Sequence, residues 1–404
     1  MLAAPPLALY VHLPWCQRKC PYCDFNSHAS PGGPPETEYV DALLLDLAQD
    51  LAGPATGRPL VSIFVGGGTP SLFSGEGIAR LLDGVRALAE VTADAEVTLE
   101  ANPGTADAAN FSAYRAAGVN RLSVGVQSLN AGLLRNLGRV HDPDQARAAL
   151  ALGRAAGFDN LNVDLMYALP GQILTEAASD LEEVIALRPE HISYYQLTLE
   201  PNTPFYRTPP PLPDDDLAAD MQDQGGDLLS SAGYAQYEVS AHARPGRRCR
   251  HNLVYWTFGD YLGIGAGAHA KLTDPATGRV ERTAKRRHPD AYLEAVRDGR
   301  FVGSRRTLDA DDQVLEFALF ALRLHAGFDR IQFERRTGLP FARLSGPIEA
   351  ARRRGLLTIA GERVRPTDLG RRFLNDLIQH FAPGGAPESH APCAQGFALK
   401  GDLG

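Results

Sequence analysis

The feature that most constrains this chain is an alternation of two periodicities from residue 7 to about 240. Short apolar runs, mostly β-branched or aromatic, recur as ALYVHLP (8–14), LVSIFVGG (60–67), EVTLEANP (96–103), NRLSVGVQS (120–128), NLNVDLMYALP (160–170) and HISYYQLTLEP (191–201). Runs of this length and composition predict buried parallel strands. YAQYEVSA (234–241) is a seventh, less regular candidate. Between the runs lie helical patterns at 36–51, 77–90, 142–157 and 180–188. In the first of these, Val40, Leu43, Leu44, Leu47 and Leu51 share one face. Repeated strand–helix units predict a parallel sheet with right-handed crossovers. Six or so such units predict an α/β fold built on a full or partial (β/α) barrel.

The predicted core spans 1–241. Residues 242–305 lose the pattern and read as an irregular connecting region rich in Gly and Arg. A second unit is predicted at 306–381, with helices at 311–328, 329–338 and 347–357, a hairpin at 358–370 and a last helix at 371–381. Helices followed by a hairpin suggest a small winged-helix-like domain. Residues 382–404, rich in Gly, Pro and Ala, read as a disordered tail.

Lys and Arg number 40 against 48 Asp and Glu, a net charge of −8, which argues against a chain devoted to nucleic acid. Residues 341–380 do hold eight Arg against four acids, but a domain that covers the barrel mouth or contacts a client explains them as well. No run of 18 apolar residues appears, so no transmembrane helix is expected. The N-terminus lacks a basic region and breaks at prolines, unlike a signal peptide. A cytoplasmic protein is expected. Five cysteines, three of them within eight residues, fit metal ligands in a reducing compartment better than disulfides.

Those three are Cys16, Cys20 and Cys23 in HLPWCQRKCPYCDF. A C-x3-C-x2-C triplet can wrap one 4Fe–4S cubane, one thiolate to each of three irons. The fourth iron then stays open, and an open metal position is where a ligand binds. A structural zinc site completed by His12 or His28 is the plainer alternative, but zinc knuckles place their ligands as two separated pairs. Cys249 and Cys393 each stand alone. Polar residues also recur at the predicted strand ends: Gly66-Gly67-Gly68-Thr69-Pro70 after the second strand, Glu100 at the third, Gln127 at the fourth and Asp164 in the fifth. Strand C-termini are where an α/β barrel places its active site.

The cysteine triplet after the first strand, with Tyr22 before its last cysteine, resembles radical S-adenosylmethionine proteins. The resemblance implies that the methionyl amine and carboxylate of S-adenosylmethionine chelate the fourth iron, and that reduction releases a 5′-deoxyadenosyl radical. It sharpens to the branch of coproporphyrinogen dehydrogenases (HemN) and HemW-type proteins, and it covers nearly the whole chain. It implies cofactor-binding roles for Tyr10, Tyr22, Gly67, Gly68, Thr69, Glu100, Gln127, Arg139 and Asp164. An arginine suits a carboxylate, and the two acids suit ribose hydroxyls or an ammonium.

Two readings of function follow. In the decarboxylating enzymes of that branch a further cysteine lies two residues after the third. Here that position is Phe25, and only 15 residues precede Cys16. The other side of the branch carries H-N-x-x-Y-W, present as His251-Asn252-Leu253-Val254-Tyr255-Trp256. The motif implies haem binding, with His251 as an axial ligand. Arg244, Arg247, Arg248 and Arg250 are candidate partners for haem propionates or a solvated basic loop. Cys249 reads as structural. The expected function is a haem chaperone that hands haem to a client protein, with an electron donor for the cluster and room for transient membrane contact. The alternative is oxygen-independent oxidation of coproporphyrinogen III or a related porphyrin.

Overall fold

The computed structural model describes residues 2–384, so the predicted tail lies, beyond Gly384, outside the described residues. Strands β1 (Leu7–Leu13), β2 (Leu60–Gly67), β3 (Val91–Ala101), β4 (Arg121–Gln127), β5 (Leu161–Tyr167) and β6 (His191–Gln196) lie side by side in chain order, each pair parallel. Helices α1 (Glu36–Asp50), α2 (Gly75–Leu88), α3 (Ala108–Ala116), α4 (Pro143–Ala155) and α5 (Leu174–Ala186) return the chain between them. Starts are marked by caps: Ser74 accepts from Gly77 N at 3.0 Å, and Asp142 and Gln145 form a capping box.

Strand parity divides the sheet into two chemistries. Leu9, Val11, Ile63, Val65, Val97, Leu99, Leu122, Val124 and Val163 join one core with Leu43, Leu47, Ile78, Leu81 and Val85 of the helices. The alternate positions, Tyr10, Ser62, Glu96, Glu100, Arg121, Ser123, Asn162, Asp164 and His191, face the opposite way, into the lumen of the curved sheet. This explains why the strands read as near-continuous apolar runs that are broken by polar residues.

Residues 242–305 are more regular than their sequence suggested. After α6 (Asp215–Ser231) come the short strands β7 (Ala235–Gln236) and β8 (Ala241–Ala243), then helix α7 (Arg250–Trp256). Four strands follow: β9 (Asp260–Ile264), β10 (His269–Asp274), β11 (Arg279–Lys285) and β12 (Val302–Thr307). β9 pairs parallel with β1, and β10, β11 and β12 add antiparallel. The sheet therefore has 12 strands with ends at β12 and β7, a partial barrel. The pattern was hidden because β11 and β12, RVERTAK and VGSRRT, are charged, β12 facing solvent and β11 mostly half-buried. Buried ion pairs tie this extension down. Lys285 bonds Asp46 (2.5 Å) and Asp50 (2.8 Å), and Asp260 bonds Arg58 (2.9 Å) and Lys271 (3.0 Å).

The C-terminal unit has α8 (Ala310–Ala321), α9 (Arg330–Thr337) and α10 (Ser345–Arg353) packed on strands β13 (Phe328–Asp329), β14 (Leu357–Ala360) and β15 (Arg363–Pro366). These strands form one sheet in the order β13-β15-β14. The predicted final helix is broken near Phe373 into Asp368–Arg372 and Leu374–Gln379. The unit's core, with Phe317, Phe328, Phe333 and Val364, is continuous with Trp256, Phe258 and Val280. Among the described residues no helix is long and apolar enough to cross a membrane.

Candidate functional site

Above the C-terminal ends of the strands lies a cavity of about 560 Å³. Its wall brings together Cys16, Cys20, Cys23, Tyr22, Gly67, Gly68, Thr69, Glu100, Gln127, Arg139 and Asp164, all named from the sequence. Tyr10 and His251 are not brought to it.

The cysteine loop follows β1 and is anchored at its far end. His12 Nε2 bonds Asn26 O at 2.9 Å, and Asn26 Nδ2 donates to Ala266 O and Arg287 O, both at 2.8 Å. Lys19 Nζ donates to Phe25 O at 2.7 Å and closes the loop. The three thiols are free and half-buried. Burial raises the Cys16 pKa, against hydrogen bonds from Thr69 and Ser27. Burial pushes Cys23 up to about 11. A bound metal cation would offset that cost and hold the thiols as thiolates. Among the described residues no three His, Cys, Asp or Glu side chains close on a single metal-ion position. A cubane needs no such convergence, since each thiolate takes its own iron.

The glycine run fits a close approach of backbones. Gly67 has φ of +116°, and a Cβ on Gly68 would meet Trp15 O at 2.5 Å. Gly67 N donates to Glu100 Oε2 at 3.1 Å. Glu100 is pushed up to about 8, first by burial and then by Asp164. Asp164 is also raised by burial, although Asn162 Nδ2 donates to it at 2.8 Å. Behind it, Asn162 Oδ1 meets His191 Nδ1 at 2.6 Å, and His191 Nε2 meets the Tyr237 hydroxyl at 2.9 Å. Gln127 sits at a register shift between β4 and β5 with φ of +67°, a rare conformation for a side-chain-bearing residue. The Tyr195 hydroxyl donates to its Oε1 at 2.8 Å. Arg139 Nη2 donates to Gly125 O at 2.8 Å, its Nη1 lies 3.6 Å from Cys20 Sγ, and its Nε is buried without a partner.

These features describe a ligand with two ends. Paired buried carboxylates with raised pKa favour a cationic group. A buried arginine with a free N–H beside the cluster loop favours a carboxylate. An amino acid bearing a sulfonium has both, so the residues present fit S-adenosylmethionine beside a three-thiolate cluster.

Tyr10 lies below the cavity, its hydroxyl 3.0 Å from His12 Nδ1. His251 lies deeper in the lumen, 1% exposed, on α7. Its Nδ1 meets Ser62 Oγ at 3.0 Å and its Nε2 meets Tyr255 Oη at 2.8 Å. Burial, then Arg121, lowers its pKa to about 3, so the ring is neutral. The nearby arginines do not line the cavity. Arg247 pairs with Asp159 and Arg250 with Asp94, at the N-terminal ends of β5 and β3, while Arg244 and Arg248 lie over Tyr234 and Tyr237. Cys249 is buried, with its thiol 3.5 Å from Glu96. The motif does reach the cavity through Trp256.

Sequence reasoning missed Ser123, Tyr195 and Arg323 on the wall. Ser123 and Tyr195 carry a signal, because they sit at the lumen parity of strands already identified. Arg323 carries none, since it comes from the C-terminal unit.

A radical SAM superfamily model matches residues 10–187, and a HemN C-terminal domain model matches 308–373. The chain is 49% identical to the haem chaperone HemW of Escherichia coli, over 94% of this chain and 99% of that one. It is 46% identical to the haem chaperone HemW of Haemophilus influenzae, over 93% and 98%. The solved structure of coproporphyrinogen III oxidase (HemN) from Escherichia coli, described as a radical SAM enzyme, superposes with a TM-score of 0.79. It shares 25% identity and covers 94% of this chain and 91% of that one. The superfamily implies a 4Fe–4S cluster and S-adenosylmethionine, the two groups the cavity's donors fit. The chain belongs to the radical S-adenosylmethionine superfamily and, within it, to the HemW family.

Proposed function

We propose that this protein is a haem chaperone that binds haem and passes it to a client protein. The observation that carries the reading is the near full-length identity to HemW chaperones. The site supports it at Phe25, which lines the cavity and is 49% exposed. An apolar ring stands at the rim, where a macrocycle can rest, in place of the enzyme branch's further cysteine. A cavity of about 560 Å³ is the size for one cofactor-scale ligand.

Cys16, Cys20 and Cys23 would hold the cluster, which supplies one-electron chemistry when bound. Gly67, Gly68 and Thr69 offer close backbone, Arg139 Nε offers a free donor to a carboxylate, and Glu100 and Asp164 take up a cationic end. Tyr22 closes the wall between the cluster loop and Phe205, 6.4 Å between ring centroids. Tyr10 supports the floor through His12. His251 is in the neutral form a haem ligand requires. Its Nε2 is engaged by Tyr255 Oη at 2.8 Å and the ring lies beneath the cavity, so holding haem iron would require that contact to break and the floor above it to open. The reading places the protein in the cytoplasm with a reductant for its cluster and a haem-accepting client as partners.

The test is haem titration of anaerobically purified, cluster-loaded protein, followed by mixing with an apo-haemoprotein. About one haem should bind and then move to the acceptor. Absence of a spectral change on titration sinks the reading. The similarity to HemN makes coproporphyrinogen III oxidation the second reading. Turnover of that substrate with S-adenosylmethionine and a reductant would establish it, and null turnover with haem binding intact favours the chaperone.

A further inference from the structure

We propose that Arg323 and Trp256 form a carboxylate-binding pair in the cavity wall and receive a propionate of the bound tetrapyrrole. This rests on the haem-binding reading and adds the atoms that meet the ligand's anionic edge. Trp256 ends helix α7, and Arg323 follows α8, so the pair joins the lumen helix to the C-terminal unit. Both side chains line the cavity that holds the cysteines.

The pair is built rather than incidental. The Arg323 guanidinium carbon lies 4.4 Å from the indole centroid, a cation–π stack. Its Nη2 donates to Glu238 Oε2 at 3.0 Å, and that carboxylate is 3% exposed, so the guanidinium is held from behind. Glu238 is itself fixed by the Ser240 hydroxyl and N–H. Trp256 is 8% exposed, with Phe320 at 6.0 Å between centroids.

Two donors remain unused. Arg323 Nε and Trp256 Nε1 are both buried and have no hydrogen-bond partner. Buried N–H groups without acceptors are rare and costly, and a pair of them on one cavity wall marks a place for an acceptor. The acceptor should offer two oxygens and no hydrogens, which is a carboxylate. Glu200, also on the wall, accepts from Thr198 Oγ1 at 2.7 Å and does not serve either free donor. Of the groups a tetrapyrrole carries, only its propionates fit. The arginines near the His251 motif cannot serve, since Arg247 and Arg250 are paired at the other end of the strands.

The experiment compares haem with haem dimethyl ester, whose propionates are neutral, on cluster-loaded protein. The variants are wild type, Arg323→Lys, Trp256→Phe and the double variant Glu238→Gln/Arg323→Gln, which leaves no stranded carboxylate. Wild type should bind haem at least about tenfold more tightly than the ester, the size of one charge-assisted hydrogen bond. Arg323→Lys keeps the charge facing Glu238 but lacks the fork, and should lose most of that preference. The double variant should lose it all. Should one Arg323 variant fail to fold, the other still carries the comparison with the ester. Equal binding of haem and ester by wild type, or an undiminished preference in the folded Arg323 variants, overturns the proposal while haem binding stands. Failure of wild type to bind either ligand instead removes the haem-binding reading and this proposal with it.

Discussion

Arg139 reaches to 3.6 Å from the Cys20 thiol while its other terminal nitrogen is held by the Gly125 carbonyl. One side chain thus joins the cluster loop to the end of β4, with its Nε left for a third partner. A donor to a cluster thiolate raises the reduction potential, and a donor to a carboxylate adds affinity. Arg139→Met should therefore keep its iron and sulfide but show a lower cluster potential. S-adenosylmethionine binding should weaken roughly 10- to 100-fold, the worth of one hydrogen bond to a charged group. Electron paramagnetic resonance of the reduced cluster, titrated with the cofactor, measures both effects. Unchanged affinity would remove Arg139 from the carboxylate site.

Glu100 and Asp164 make apo-protein stability depend on pH in an unusual direction. Burial and the neighbouring acid raise Glu100 to about 8, well above its ordinary value of 4.5. Between those values the folded state binds more protons than the unfolded state. This group's contribution to stability is thus present below pH 4.5 and is lost as pH rises toward 8. Glu100→Gln should remove that loss, at most about 1.4 kcal/mol per pH unit across the window. Thermal melts of the cluster-free protein from pH 5 to 9 should show the variant gaining on wild type as pH rises. Parallel curves would mean that Glu100 is not held in its neutral form.

Most of the barrel core was legible because two periods coexist in one strand. In EVTLEANP the odd residues Val97 and Leu99 pack on helices, while Glu96 and Glu100 face the lumen. The same parity points to Ser123 and Asn162. The added strands were not legible, because RVERTAK and VGSRRT are held by pairing and charge rather than by two-sided burial. His251 shows the limit of a motif. Its residues and spacing are clear in the sequence, but its Ser62 and Tyr255 partners emerge only when α7 fills the lumen. Arg323 was invisible because only the docking of the C-terminal unit brings it to the cavity.

The cysteines should separate by substitution. Cys16→Ser, Cys20→Ser or Cys23→Ser removes a thiolate that the half-built cage cannot replace, and each variant should lose most of its iron and sulfide. Cys249→Ser should keep both. Its position is buried against Glu96, where a hydroxyl can replace the thiol as donor. Iron and sulfide analysis after anaerobic reconstitution gives the answer. Loss of the cluster in Cys249→Ser alone would move the metal centre into the lumen.

Haem ligation by His251 has a defined obstacle, and so a defined test. The imidazole is neutral, since burial and Arg121 lower its pKa to about 3. Its Nε2 is engaged by Tyr255 Oη at 2.8 Å. In the tautomer whose Nδ1–H donates to Ser62 Oγ, Nε2 accepts from the tyrosine hydroxyl, and iron would compete with that hydroxyl for one lone pair, so removing the hydroxyl should favour iron. Tyr255→Phe should raise haem affinity by roughly two- to tenfold, the net worth of one neutral hydrogen bond. If His251 holds the iron, His251→Ala should lower it and change the haem's absorption bands. The depressed pKa adds a control. A base whose folded pKa lies below 6.5 gives stability that is full above pH 6.5 and is lost as pH falls toward 3. His251→Gln should therefore flatten the acid limb of the stability curve whether or not haem binds there. Identical haem spectra in wild type and His251→Ala, with the acid limb still flattened in His251→Gln, would make His251 the peg that holds α7 beneath the cavity rather than the ligand.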